Sequence, residues 1–136
     1  MSCPFCAIAA AASPAEVVHQ DASTIAFLDL RPVFLGHVLL CPRAHHETLV
    51  DLPKELIEPL FSTAQRLARA VEIALEADGT FVAMNNRVSQ SVPHLHVHVV
   101  PRRKKDGLRG FFWPRTSYAP GEMAEIGAKI RASMAA

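Results

Sequence analysis

An α+β fold with an antiparallel sheet of about five strands is what this sequence predicts, on three observations. Short apolar segments bounded by Gly, Pro and Asp stand before and after a single long helical pattern, without the regular strand–helix alternation of a parallel sheet. The helical pattern, Pro53 to Ala77, carries Leu56, Leu60, Ala64, Leu67, Val71 and Ala74 at three- and four-residue spacing, which places them on one face. Residues 94–100, His-Leu-His-Val-His-Val-Val, alternate polar and apolar as a strand does.

The elements follow in order. Met1 to Ala12 is apolar and Ala-rich and predicts a short turn or helix. Glu16 to His19 and Thr24 to Leu28 predict two strands around an Asp21–Ala22–Ser23 turn. Gly36 breaks the chain before a buried strand from His37 to Cys41, ended by Pro42. Asp51 or Leu52 stands where a helix cap belongs, Pro53 suits the first helical position, and Gly79 suits the end. Pro59 predicts a bent first turn or a later helix start. Thr80 to Asn85 and His94 to Val100 predict two more strands, the second stopped by Pro101. Gly107 to Pro120 predicts a long ordered loop, and Glu122 to Met134 a last helix.

At 136 residues the chain suits one domain, residues 1–136, and half of it is apolar, enough for a sizeable core. A net charge of +1 gives no global attraction to nucleic acid or to an anionic membrane. The run Arg102, Arg103, Lys104, Lys105 reads first as a solvated loop, with steering of an anionic substrate as the functional alternative. No apolar run approaches the roughly 18 residues of a membrane span. The first basic residue is Arg31, so no charged leader precedes the apolar start, and a cytoplasmic location is expected. Three cysteines in a reducing compartment favour thiols or metal ligands over disulfides.

The histidines carry the chemistry. In a strand, Leu95, Val97 and Val99 face one way and His94, His96 and His98 the other, spaced by roughly 6–7 Å. That is the scale of a phosphate with a substituent on either side. With seven His in 136 residues, chance places three at these positions in about 0.02 of shuffled chains. A polar sheet face bearing exposed His is the plain alternative, and three buried rings without partners would oppose it.

Gln90-Ser91-Val92-Pro93-His94-Leu95-His96-Val97-His98-Val99-Val100-Pro101-Arg102 closely resembles the histidine-triad (HIT) family, whose hallmark is His-φ-His-φ-His-φ-φ with φ apolar. Ala26-Phe27-Leu28-Asp29, Gly36-His37-Val38 and Pro42-Arg43-Ala44-His45 resemble its nucleotide-binding half. Met84-Asn85-Asn86 and Gln90-Ser91 resemble its phosphate-side loop. The resemblance spans about residues 3–102, with 103–136 as a C-terminal loop and helix. It implies a HIT-like fold and a homodimer.

The resemblance also implies roles. His96 would be the nucleophile, a neutral imidazole able to attack phosphorus and later leave, with a main-chain carbonyl or a triad His setting its tautomer. His94, His98 and Ser91 complete the catalytic set, Ser91 and His98 donating to a phosphate oxygen or the departing group. Gln90 and Ser91 would form a preorganised anion site that needs no catalytic metal. Asp29 matches the residue that binds ribose hydroxyls, although it could also start a turn before Pro32. His37 falls in the substrate-binding half. Asn86, or alternatively Asn85, matches an Asn that contacts the phosphate. Relatives with Gln at the third triad position resemble nucleotidyl transferases, so His98 points to hydrolysis.

Cys3-Pro-Phe-Cys6 has the C-x₂-C spacing of one edge of a zinc site. The resemblance implies completion by His45 and His94, with His46 as the alternative to His45, giving a structural zinc. Two reduced thiols packed beneath the sheet is the other reading, and Cys41 reads as core. The implied activity is hydrolysis at the α-phosphate of dinucleoside polyphosphates, such as diadenosine tri- or tetraphosphate, or of AMP phosphoramidates, releasing the nucleoside monophosphate. A nucleotide sensor with negligible turnover and a metallohydrolase using the three His are the alternatives. Gly107 to Arg115 lies outside the pattern; covering the substrate with Trp113, extending a dimer interface and packing the core all stay open.

Overall fold

The computed structural model describes residues 2–108 and 115–135. They fall into two compact units, residues 1–106 and 107–136. The first holds α1 (Pro4–Ala9), β1 (Val17–Gln20), β2 (Thr24–Leu28), β3 (Val38–Pro42), α2 (Lys54–Leu75), β4 (Gly79–Ala83) and β5 (Val97–Arg102). The second holds α3 (Glu122–Met134), where the sequence predicts it. All neighbouring strands are antiparallel, in the order β1-β2-β3-β5-β4, as an α+β fold requires.

The central strands are apolar on both sides because both sides are covered. Ala26, Val38, Leu40, Val97 and Val99 pack with Leu60, Ala64, Leu67 and Val71 of α2. Ile25, Phe27, Leu39 and Cys41 pack on the other side with Phe5, Ile8 and Ala9 of α1. Cys41 is a core residue, as expected, and burial raises its thiol pKa. Of the expected stripe on α2, Leu60, Ala64, Leu67 and Val71 are buried, Leu56 is partly buried and Ala74 is exposed; Thr63 joins the buried face, its hydroxyl bonded to the Pro59 carbonyl at 2.7 Å.

Several boundaries differ from expectation. Pro59 does not delay α2, which runs through it from Lys54. Asp51 caps a short 3₁₀ turn, Leu49–Asp51, through Thr48, and Pro53 itself is the cap of α2. Glu76, with φ of 50°, ends that helix in the left-handed conformation, and Gly79 instead begins β4. β5 starts at Val97, later than His94, and continues through Pro101 to Arg102. Pro101 is tolerated because β3 pairs only with Val97–Val99, so nothing on that side needs its missing N–H. Gly36 has φ of +98°, and a Cβ there would lie 2.2 Å from Leu75 Cδ1, so glycine is required where the chain turns into β3.

Part of the basic run at the end of β5 is tied into the fold. Arg102 forms a paired bond to Asp106 at 2.6 and 3.0 Å, Arg103 donates to the Leu75 carbonyl at the end of α2, and the Lys104 N–H donates to Asp78. Among the described residues no helix is long and apolar enough to cross a membrane.

Candidate active site

β5 and the segment before it carry the triad. Leu95, Val97 and Val99 point to the α2 side, while the His rings lie on the α1 side. His96 and His98 ring centres are 5.1 Å apart, closer than an ideal strand gives, because His94-Leu95-His96 precedes the regular strand.

Backbone groups decide the tautomers. His96 Nδ1 lies 2.7 Å from the His94 carbonyl oxygen. A carbonyl only accepts, so Nδ1 carries the proton and Nε2 keeps a lone pair. His37 Nδ1 accepts from the Val33 N–H at 3.1 Å, so its proton sits on Nε2. That Nε2–H donates to His98 Nδ1 at 2.9 Å, leaving the His98 proton on Nε2. Burial, with His96 and His37 adding to it, pulls the His98 pKa down to about 4, so the ring is neutral at physiological pH. His37 is also pulled down by burial, partly opposed by Asp29.

A cleft of about 380 Å³ opens beside these rings, lined by His96, His98, Ser91, Asp29, Arg31, Phe5 and Phe27 among others. Its size suits a small-molecule site. Asp29 Oδ1 accepts the Arg31 N–H at 2.9 Å, the turn bond anticipated for this residue, while Oδ2 is 3.8 Å from His37 Nδ1. His37, only 3% exposed, stands behind His98 and does not line the cleft.

The residues of the phosphate-side loop also bond within the chain. Gln90 donates to the Glu47 carbonyl at 2.6 Å and accepts the Arg87 N–H at 2.9 Å. Asn86 accepts the Leu49 N–H at 2.8 Å, and Asn85 donates to the Ser89 carbonyl at 3.2 Å. Gln90, Asn85 and Asn86 therefore hold the loop, whereas Ser91 reaches the cleft. Arg87 and Ser89 adopt left-handed φ of 71° and 61° without being glycine, a strain these bonds offset.

Cys3, Cys6, His45 and His94 present ligand atoms within 4.8 Å of one another. The His94 Nδ1 lies 3.4 and 3.6 Å from the Cys3 and Cys6 sulfurs, and His45 Nδ1 lies 3.4 Å from Cys6 Sγ. Ordinary Zn–S and Zn–N bonds in a tetrahedron put S and N about 3.6 Å apart. His94 Nε2–H is fixed on the Pro42 carbonyl at 2.8 Å, which leaves Nδ1 free to ligate. The residues fit a tetrahedral metal, and His45, not His46, is the second imidazole.

Among the described residues, no cluster of ligand atoms joins His94, His96 and His98. Asp29, His37 and His98 also gather within 4.8 Å, yet His37 and His98 spend their facing nitrogens on each other.

The family model for the HIT domain matches residues 10–105. The chain belongs to the HIT family. An uncharacterised HIT-like protein of Mycobacterium tuberculosis is 40% identical over 110 residues, 79% of this chain and 76% of the relative. A HIT family structure from Bacillus subtilis is 33% identical with a TM-score of 0.88, covering 97% and 96% of the two chains. A Zn-bound histidine triad protein from Mycobacterium smegmatis is 35% identical with a TM-score of 0.76, covering 100% and 99%. HIT relatives named for activities include a Dictyostelium bis(5'-adenosyl)-triphosphatase (37% identical, 67% of this chain and 62% of the relative). An Arabidopsis adenylylsulfatase (30%; 78% and 55%) and a Candida adenosine 5'-monophosphoramidase (26%; 98% and 92%) are others.

His37, expected among the substrate-binding residues, instead bonds to His98 from behind, brought near by the register that sets Leu39 opposite His98. Phe5, which touches His96 and His94 from α1, escapes the sequence reading of this HIT site. Trp113 and most of the 107–115 segment lie outside the described residues.

Proposed function

We propose that this HIT protein hydrolyses nucleoside phosphate derivatives at the α-phosphate, with His96 as nucleophile. The observation that supports it most is the His94 carbonyl on His96 Nδ1, which keeps a lone pair on Nε2 beside the cleft. In the first step Nε2 attacks phosphorus, an N–P bond forms, and the P–O or P–N bond to the leaving group breaks. The leaving atom takes a proton from solvent if it needs one, and the His96 ring becomes a cation. In the second step water attacks phosphorus and gives up a proton to solvent, the P–N bond breaks with its electron pair returning to Nε2, and the nucleoside monophosphate departs.

Supporting roles follow from position. His98 offers an Nε2–H and Ser91 a hydroxyl to the phosphate oxygens and the leaving atom. Asp29 keeps one carboxylate oxygen for the ribose. We assign Gln90 and Asn86 to holding the loop that brings Ser91 to the phosphate, and His37 to orienting His98. His94 contributes its carbonyl. A zinc at Cys3, Cys6, His45 and His94 would be a structural staple. The named relatives act on diadenosine triphosphate, adenylyl sulfate and an adenosine phosphoramidate, so adenylyl compounds are the favoured class. The reading further includes a cytoplasmic homodimer whose residues 1–136 act as one domain, with no nucleic acid or membrane partner.

The test is a hydrolysis panel of adenosine phosphoramidates against diadenosine tri- and tetraphosphate, with and without chelator. Turnover of at least one class that survives chelation is expected. Tight nucleotide binding without turnover would favour a sensor, and loss of all activity on chelation in folded protein would favour a metallohydrolase.

A further inference from the structure

Phe5 stands in α1 between Cys3, which caps the helix, and Cys6, and is 9% exposed. Its ring meets His96 edge-on, centroids 5.1 Å apart at 88°, and meets His94 at 5.9 Å and 69°. Phe27 supports it at 5.2 Å. It also lines the cleft beside His96. One hydrogen bond fixes one atom of the His96 ring, and a perpendicular aromatic neighbour restricts the tilt of the ring plane about that bond.

α1 has only six residues, too short to persist alone. It is kept in place by Phe5, Ile8 and Ala9 in the apolar cluster and by the Arg43 guanidinium on the Ala9 carbonyl at 2.8 Å. Two of the four metal-site ligands lie on or next to this helix, and the other two lie on segments 45 and 94. A metal there would cross-link the helix that carries Phe5 to the segment that carries His96.

We propose that Phe5 is a positioning residue for His96, and that metal held by Cys3, Cys6, His45 and His94 fastens it there. Its ring keeps His96 Nε2 aimed into the cleft. The inference rests on the proposed role of His96 as nucleophile.

The test compares Phe5→Leu with wild type, each with zinc and after chelation. Measured are kcat, KM, AMP affinity, melting temperature, amide exchange over residues 3–9 and the ring-nitrogen NMR signals of His96. Phe5→Leu should lower kcat about three- to tenfold, the rate equivalent of one aromatic contact, and by more than it changes KM or AMP affinity, since Leu keeps an apolar lining to the cleft; a purely structural role would not give that split. The His96 ring signals should lose their single Nδ1–H signature. Removing zinc from wild type should speed exchange over 3–9 and lower kcat by a similar factor. Removing it from Phe5→Leu should lower kcat no further, because both act through one contact. Unchanged kcat in Phe5→Leu, a rise in KM alone, or additive losses would overturn the proposal. Should Phe5→Leu not fold, the chelation arm on wild type decides, and unchanged His96 signals there would overturn it. A wild type that hydrolyses nothing would remove the hydrolase reading instead, while the His96 signals still report on Phe5.

Discussion

His37 and His98 share one proton contact, Nε2–H to Nδ1 at 2.9 Å, whose direction is set by the Val33 N–H on the far side of His37. A main-chain amide thus determines which nitrogen of His98 donates into the cleft. The relay joins β3 to β5 through the register that pairs Leu39 with His98.

Breaking the relay has a definite outcome. His37→Leu leaves the Val33 N–H and His98 Nδ1 without partners, and an unsatisfied buried group costs about 1–3 kcal/mol. The variant should lose that much in urea unfolding and also lose kcat, since His98 can then adopt either tautomer. Wild-type kcat in a destabilised His37→Leu would confine His37 to packing.

Stability should depend on pH through the same pair. His37 and His98 have folded pKa values below the ordinary His value of about 6.5, so the unfolded chain binds more protons between that pH and about 4. The contribution is complete above pH about 6.5 and is lost as pH falls toward 4. Urea midpoints in excess chelator should drop between pH 7.5 and 5, and drop less in His98→Gln. A flat profile would mean that the rings are not held neutral.

How much of this the sequence discloses depends on the range of the interaction. The triad's alternation is local, so the sidedness of Leu95, Val97 and Val99 against the histidines is readable, as are α3 and the buried stripe of α2. The start of β5 is not, because the chain pairs with β3 only from Val97 onward. Gln90 and Asn86 look like phosphate ligands in sequence. In the fold they bond to Glu47 and Leu49, some forty residues away, a pairing no local pattern reveals. The cysteine pair is visible as a spacing, but the choice of His45 over His46 needs the geometry.

The metal site makes a separate prediction. Purified protein should hold about one zinc per chain, and Cys3→Ser with Cys6→Ser should abolish binding and lower the melting temperature. Activity should fall but persist, since no reacting atom needs the metal. Metal-free protein whose melting is unchanged by the double substitution would leave two packed thiols as the correct description.

Leaving groups should separate Ser91 and His98 from His96. A phosphoramidate nitrogen leaves poorly unless protonated, whereas a polyphosphate oxygen departs as a stabilised anion. Loss of a hydrogen-bond donor aimed at the charge developing on a leaving atom costs about 10²–10³-fold. Ser91→Ala and His98→Ala should therefore slow phosphoramidate cleavage more than polyphosphate cleavage, judged by kcat/KM ratios. Equal slowing of both would restrict the two residues to phosphate binding.

The central claim is that His96 forms a bond to phosphorus, and acid-stable or base-stable chemistry distinguishes such an intermediate directly. Wild type quenched within one turnover of an adenylyl substrate should carry an acid-labile, base-stable AMP on His96, detected by mass spectrometry of the intact chain and its peptides. His96→Ala should carry none and hydrolyse nothing, while still binding AMP. Hydrolysis within a few fold of wild type in His96→Ala, with no adduct on either protein, would contradict the account.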